Sequence, residues 1–182
     1  LAEALPEGVH EIAIHKRAEA KVGDLVFYAF DPKSGDNPGK LLPGSPAPDR
    51  RIETMGDSIT AGYGNEGPGA AFGFVNSEEN EYLTYGAITA RNLNAEHSTI
   101  AWSGKTQYEM RQYFDKSLPA NPKGPKWDFA QWQPHVRVLN VGTNEFANVD
   151  PGEQRFVRQY LELMHDVLAA FPKAFVGIAL GS

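Results

Sequence analysis

The apolar positions change their period near residue 50. Before it they alternate: residues 9–17 place Ile12 and Ile14 on one face and Glu11, Ala13 and His15 on the other, the two-residue period of a strand. After a Gly23-Asp24 turn, residues 25–30 form a second apolar run, and residues 31–39 carry turn chemistry in Pro32, Gly35, Asn37, Pro38 and Gly39. Two or three strands without a helix are not stable alone. The pattern therefore predicts that residues 1–48 are the C-terminal part of a β-sandwich whose earlier strands precede Leu1. Residues 43–48, rich in Pro and Gly, read as a linker.

From Arg51 onward strands alternate with helical patterns, which predicts an α/β domain over 49–182 with a parallel sheet between helices. Strands are expected at 51–55, 98–102, 136–141 and 174–180, and helices at 81–93 and 106–114. Residues 62–80 and 116–134 read as loops. A long helix is expected with Asp150 as its N-cap, Pro151 in the first position and Glu153 completing a capping box. Its apolar stripe is Phe156, Tyr160, Met164, Val167 and Phe171, with Val157, Leu161 and Leu168 beside it, and Pro172 stops it. Residues 174–180 are continuously apolar, as in a central parallel strand buried on both faces. Such a strand needs neighbours and a covering helix, so the domain is expected to be C-terminally incomplete in this chain.

Composition narrows the function. The chain has 182 residues, no cysteine and a net charge of −6. Lack of cysteine removes disulfides, zinc–thiolate sites and a cysteine nucleophile together. No basic cluster supports nucleic-acid binding, and no apolar run is long enough to span a membrane as a helix. The chain begins with Leu1 and carries no signal-peptide pattern.

The chemistry centres on Gly56-Asp57-Ser58, directly after the strand at 51–55. A glycine there permits a sharp turn that lifts Ser58 out of the sheet, where its Oγ can act as a nucleophile. Asp57 is expected to hold the turn through backbone contacts. Ser103-Gly104 and Gly142-Thr143-Asn144 follow two further strands. Ligands of open α/β sheets bind outside the carboxyl ends of the strands, so these loops converge on one crevice. Backbone N–H groups of Ser58 and Gly104 and the side-chain amide of Asn144 are then candidate oxyanion donors.

These blocks, in this order, resemble the SGNH hydrolases, and the likeness is closer to carbohydrate esterase family 2. Residues 51–64, 82–91 and 101–104 are similar to that family's stretches. Residues 10–17 with Glu19-Ala20 resemble the end of its N-terminal jelly-roll domain. The resemblance implies a three-layer α/β/α hydrolase and a serine esterase, free of metal and cofactor, that removes acetyl groups from plant cell-wall polysaccharides. It also implies a secreted or periplasmic location, and an Asp-x-x-His block carrying the general base. That block is absent, so the catalytic His is expected beyond residue 182 and this chain alone is expected to be nearly inactive. Glu145 stands where the family usually has Asp, which puts the hydrogen bonding of that loop in question.

None of the five histidines suits the base. His10 and His15 lie in the first unit, His97 and His135 precede strands, and His165 sits on the polar side of the long helix. Trp102, Tyr63 and Tyr82 are candidates to line a sugar site, or else ordinary core and rim aromatics. Two rival readings stand beside the acetylesterase: a carbohydrate-binding protein without turnover, and a GDSL-type esterase of another ester class. No lid-like apolar stretch flanks residues 62–80, which weighs against a lipid substrate.

Overall fold

The computed structural model describes residues 6, 8–34, 37–121 and 123–179. Two-residue strands β1 (Lys33–Ser34) and β2 (Asn37–Pro38) pair antiparallel ahead of the main sheet. That sheet holds β3 (Arg50–Gly56), β4 (Ala95–Ala101), β5 (Val136–Asn140) and β6 (Phe175–Ile178), all parallel, in the spatial order β4-β3-β5-β6. The helices are α1 (Ser58–Ala61), α2 (Tyr85–Asn92), α3 (Gln107–Tyr113) and α4 (Glu153–Ala170). The predicted parallel α/β architecture is thus present from Arg50 onward.

Local chemistry sets where the helices start. Thr106 and Glu109 form a reciprocal capping box on α3, with Glu109 N–H donating to Thr106 Oγ1 at 3.3 Å and Thr106 N–H to Glu109 Oε2 at 3.0 Å. The single helix expected over 81–93 is divided. Asn80 caps a 3₁₀ turn at Glu81–Leu83, Thr84 is extended, and its hydroxyl then caps α2. The expected start of α4 is corrected by the structure. Gly152, at φ 76°, is the N-cap, and Asp150 Oδ1 accepts its N–H at 2.8 Å. Asp150 therefore closes a turn before the helix and Pro151 lies outside it.

The strand faces fix the layers. Met55 and Leu139, with Val141, meet Met110 and Phe114 from the α3 side and Tyr160, Leu163, Val167 and Phe171 from the α4 side. Leu163 is fully buried although the predicted stripe omitted it, while Val157, Leu161 and Leu168 are exposed. The opposite face carries α2, which comes so close at Gly86 that a Cβ there would stand 2.6 Å from Thr54 Cγ2. Within the α3/α4 layer Glu53 and Arg137 are register partners and pair at 2.6 Å, with Arg137 0% exposed and its guanidinium 4.5 Å from the Phe171 ring centroid.

Two expected features are not formed. Residues 9–17 and 25–30 run as irregular backbone, and Leu25, Val26, Phe27, Tyr28 and Phe30 are exposed. A strand needs a paired strand to satisfy its N–H and C=O groups, and among the described residues no strand pairs with either segment. No β-sandwich is therefore formed by the described part of residues 1–48. The apolar strand predicted as central is instead the edge of the described sheet. β6 pairs with β5 alone, and Phe175 and Ile178 are 71% and 51% exposed. Leu180 and the turn residues Gly35 and Asp36 lie outside the described residues.

Candidate active site

Strand register brings the three sequence blocks to one edge. Gly56 is the register partner of both Ala101 and Asn140, so β3, β4 and β5 end level with each other. Ser58 follows from the first end, Ser103-Gly104 from the second and Gly142-Thr143-Asn144 from the third. Trp102 N–H donates to Gly56 O at 3.1 Å and extends the pairing one step past β4.

Gly56 is needed for space. It closes β3 within the ladder, and a Cβ on it would stand 2.0 Å from Thr60 Oγ1 and 2.6 Å from Asn140 O. Only a residue without a side chain lets α1 fold back over the strand end. Asp57 is the N-cap of α1, with Oδ1 accepting Ile59 N–H at 3.1 Å, so it holds the turn as expected. Burial pushes its carboxyl up from the ordinary range, against the pull of the Ile59 hydrogen bond. Ser58 opens the helix, partly exposed, and its N–H is one of the end amides that a helix leaves unpartnered. Ser58 O accepts from Gly62 N–H at 3.1 Å and Tyr63 N–H at 3.0 Å. Gly104 sits at φ 79°, a conformation that disfavours any side chain. Among the described residues, neither the Ser58 nor the Gly104 N–H has a hydrogen-bond partner.

Asn144 opens a 3₁₀ turn, Asn144–Phe146. Its Nδ2 donates to Lys105 O at 3.0 Å and to Asp57 Oδ2 at 3.3 Å. The amide thus ties all three loops together, and both of its protons are engaged. To donate to an oxyanion, Asn144 must exchange one of these bonds, of which that to Asp57 is the longer. Glu145 Oε1 accepts Gln107 N–H at 2.5 Å, so this loop also caps the first turn of α3. Burial raises the Glu145 carboxyl, the Gln107 hydrogen bond lowers it, and the charges of Asp57 and Glu109 add to the rise.

A profile of the GDSL-like Lipase/Acylhydrolase family matches residues 54–181. The chain belongs to the GDSL-like lipase/acylhydrolase family. Among relatives of this family member, the cellulase/esterase CelE of Acetivibrio thermocellus is 38% identical over 190 residues, covering 100% of the chain and 23% of the relative. An acetylxylan esterase/glucomannan deacetylase of Cellvibrio japonicus is 25% identical over 188 residues, covering 96% of the chain and 50% of the relative. The solved structure of a family two carbohydrate esterase from Clostridium thermocellum, in complex with cellohexaose, superposes with a TM-score of 0.74. It is 38% identical and covers 78% of this chain and 46% of that one. The chain therefore spans half or less of the length of these relatives.

The other candidate residues of this GDSL-family chain lie away from Ser58 or are packed on protein groups. His97 is the register partner of Ile52, roughly 13 Å from the strand end at about 3.3 Å per residue. It belongs to a cluster with Glu81, Thr54 and Thr99. His135 precedes β5 and its Nδ1 accepts Arg51 N–H at 3.1 Å. His165 is exposed beside Asp166 on α4, and His10 and His15 lie in the irregular N-terminal segment. None of the five hydrogen-bonds to Ser58 among the described residues. Trp102 rests against Tyr113 at 4.8 Å between ring centroids, Tyr63 stacks on Phe74 at 3.7 Å, and Tyr82 packs on His15 and Arg91. The sequence reading gave no role to the carbonyl of Lys105 or to the carboxylate of Glu19, which accepts Ser103 N–H from the far end of the chain. A backbone carbonyl leaves no sequence signal. Glu19 entered the sequence reading only within the jelly-roll resemblance, as one carboxylate between two alanines.

Proposed function

We propose that this chain is the catalytic part of a serine carbohydrate esterase that removes acetyl groups from plant cell-wall polysaccharides or sugar esters. The observation that carries the reading is the level register of Gly56, Ala101 and Asn140, which brings Ser58, Gly104 and Asn144 to one edge of the sheet. The likeness to enzymes named as acetylxylan esterase and as family two carbohydrate esterase supports the ester class.

In this scheme Ser58 Oγ attacks the acetyl carbonyl carbon and its proton passes to a general base. The carbonyl oxygen becomes an oxyanion that receives hydrogen bonds from the N–H groups of Ser58 and Gly104 and from Asn144 Nδ2. Collapse of the tetrahedral species breaks the bond to the sugar oxygen, which takes the proton and leaves. Water then hydrolyses acetyl-Ser58 to acetate and free enzyme. The base is assigned outside the described residues, because the histidines among them are held elsewhere. A polysaccharide substrate places the protein outside the cytoplasm, so secretion or periplasmic residence is part of the same proposal.

A second reading is favoured by one observation. Both protons of Asn144 Nδ2 are engaged within the protein, as suits a crevice that binds sugar without turnover. The deciding experiment incubates the full-length protein with acetylated xylan and glucomannan and measures released acetate, with affinity electrophoresis on the same polysaccharides. Acetate release supports the esterase. Retardation without release supports the binding protein.

A further inference from the structure

The segment that runs into the 3₁₀ turn Ala20–Val22 reaches the loop after β4 at Ser103 and the loop over residues 62–80 at Glu79. Glu19 is 6% exposed. Its Oε2 accepts the N–H of Ser103, its Oε1 lies 2.6 Å from Lys21 Nζ, and its own N–H donates to Glu79 Oε2 at 3.1 Å. Arg17 O accepts Glu81 N–H at 2.9 Å, which holds the same segment against the body of the domain. Lys21 Nζ lies 5.2 Å from the Tyr63 ring centroid, and Tyr63 N–H donates to Ser58 O.

Glutamate is almost never fully buried without a specific partner. Here the partners are the Lys21 ammonium on Oε1 and, on Oε2, a backbone amide next to Gly104. Nothing stands within 4 Å of the position a Cβ would take on Gly104, so no neighbour packs on that side of the residue. Hydrogen bonds hold the turn: Ser103 N–H to Glu19, Lys105 N–H to Trp102 O at 3.3 Å, and Lys105 O from Asn144 Nδ2. Of these, the bond to an ionised carboxylate is of the stronger kind.

We propose that Glu19 is a positioning residue for the esterase reaction. By fixing Ser103 it aims the Gly104 N–H at the oxyanion. The inference rests on the esterase reading above and adds to it that the N-terminal segment completes the oxyanion loop. A hydrogen-bond donor displaced by about 1 Å can cost ~10²-fold in rate.

The test uses the full-length protein and an acetyl ester, with thermal unfolding recorded for every variant. Glu19→Ala is expected to fold, to lose ~10- to 10²-fold in kcat and to keep KM within a few-fold. Glu19→Gln retains an acceptor oxygen for Ser103 and is expected to recover most of kcat. If Glu19→Ala does not fold, Glu19→Asp carries the test. It keeps the charge but withdraws the oxygens by one methylene, and lowered kcat at unchanged KM is expected. A folded Glu19→Ala, or failing that Glu19→Asp, with wild-type kcat or with a loss confined to KM overturns the proposal while Ser58→Ala is inactive. An active Ser58→Ala overturns the esterase reading itself and this proposal with it.

Discussion

Asn144 donates through Nδ2 to Asp57 Oδ2 at 3.3 Å, and this bond joins the loop after β5 to the residue that caps the helix of Ser58. The amide is held close to Ser58, and it reaches a nascent oxyanion only by exchanging one of its two bonds. Asn144→Ala is therefore expected to lower kcat by ~10²–10³-fold with little change in KM. Steady-state kinetics on a soluble acetyl ester measure this, and an effect on KM alone contradicts it.

Gly104→Val tests the neighbouring donor. The φ of 79° is strained for a β-branched residue, at a cost of about 1–3 kcal/mol. The variant is expected to melt at a lower temperature and to lose turnover as its N–H is turned away. Native-like kcat in a folded Gly104→Val protein contradicts the assignment of that N–H.

Glu53 and Arg137 supply a stability test away from the site. Burial pushes the Glu53 carboxyl up despite its partner's charge, and burial lowers the Arg137 guanidinium to about 10 against the pull of Glu53. Arg137 Nε has no hydrogen-bond partner among the described residues. Removing one member leaves an uncompensated buried charge, so Arg137→Met is expected to destabilise by about 3–5 kcal/mol. Adding Glu53→Leu is expected to restore most of that loss, because a buried pair replaced by apolar groups is often neutral. Chemical denaturation of both single variants and the double variant completes the cycle. Additive losses contradict the coupling.

Glu81 gives a pH dependence. Burial pushes its carboxyl up, but hydrogen bonds from His97 and Thr99 and the charges of His97 and His15 bring it below its ordinary value of 4.5. A carboxyl lowered in the folded state adds stability above its unfolded pKa, and loses it as pH falls through the lowered folded value. Glu81→Gln is expected to melt earlier at neutral pH, by about 1–2 kcal/mol of stability. The gap is expected to close below pH 4.5. A gap constant from neutral pH to well below the ordinary value contradicts the pairing.

The sheet was legible where each strand carries its own signal. The strands at 51–55 and 136–141 and the helix from Thr106 fold nearly as read. Properties of the three-dimensional arrangement were less so. Residues 25–30 have strand composition but no paired strand among the described residues, and composition cannot supply one. Asp150, Pro151 and Glu153 spell a helix start, yet Gly152 at positive φ takes the cap. At the candidate site, the placement of Ser58, Gly104 and Asn144 past three strand ends was legible because each follows a strand in the sequence. The Asn144–Asp57 bond and the reach of Glu19 to Ser103 join residues far apart in sequence and were not.

The central claim is that Ser58 is the nucleophile. Ser58 is partly exposed at the start of α1, and its side chain adds nothing to the core. Ser58→Ala should therefore leave the melting temperature near that of the wild type. Acetate release from an acetyl ester by the full-length protein is the direct measurement, wild type beside Ser58→Ala. The account predicts a fall in kcat of several orders of magnitude in a protein that remains folded. Turnover within a few-fold of the wild type would contradict it.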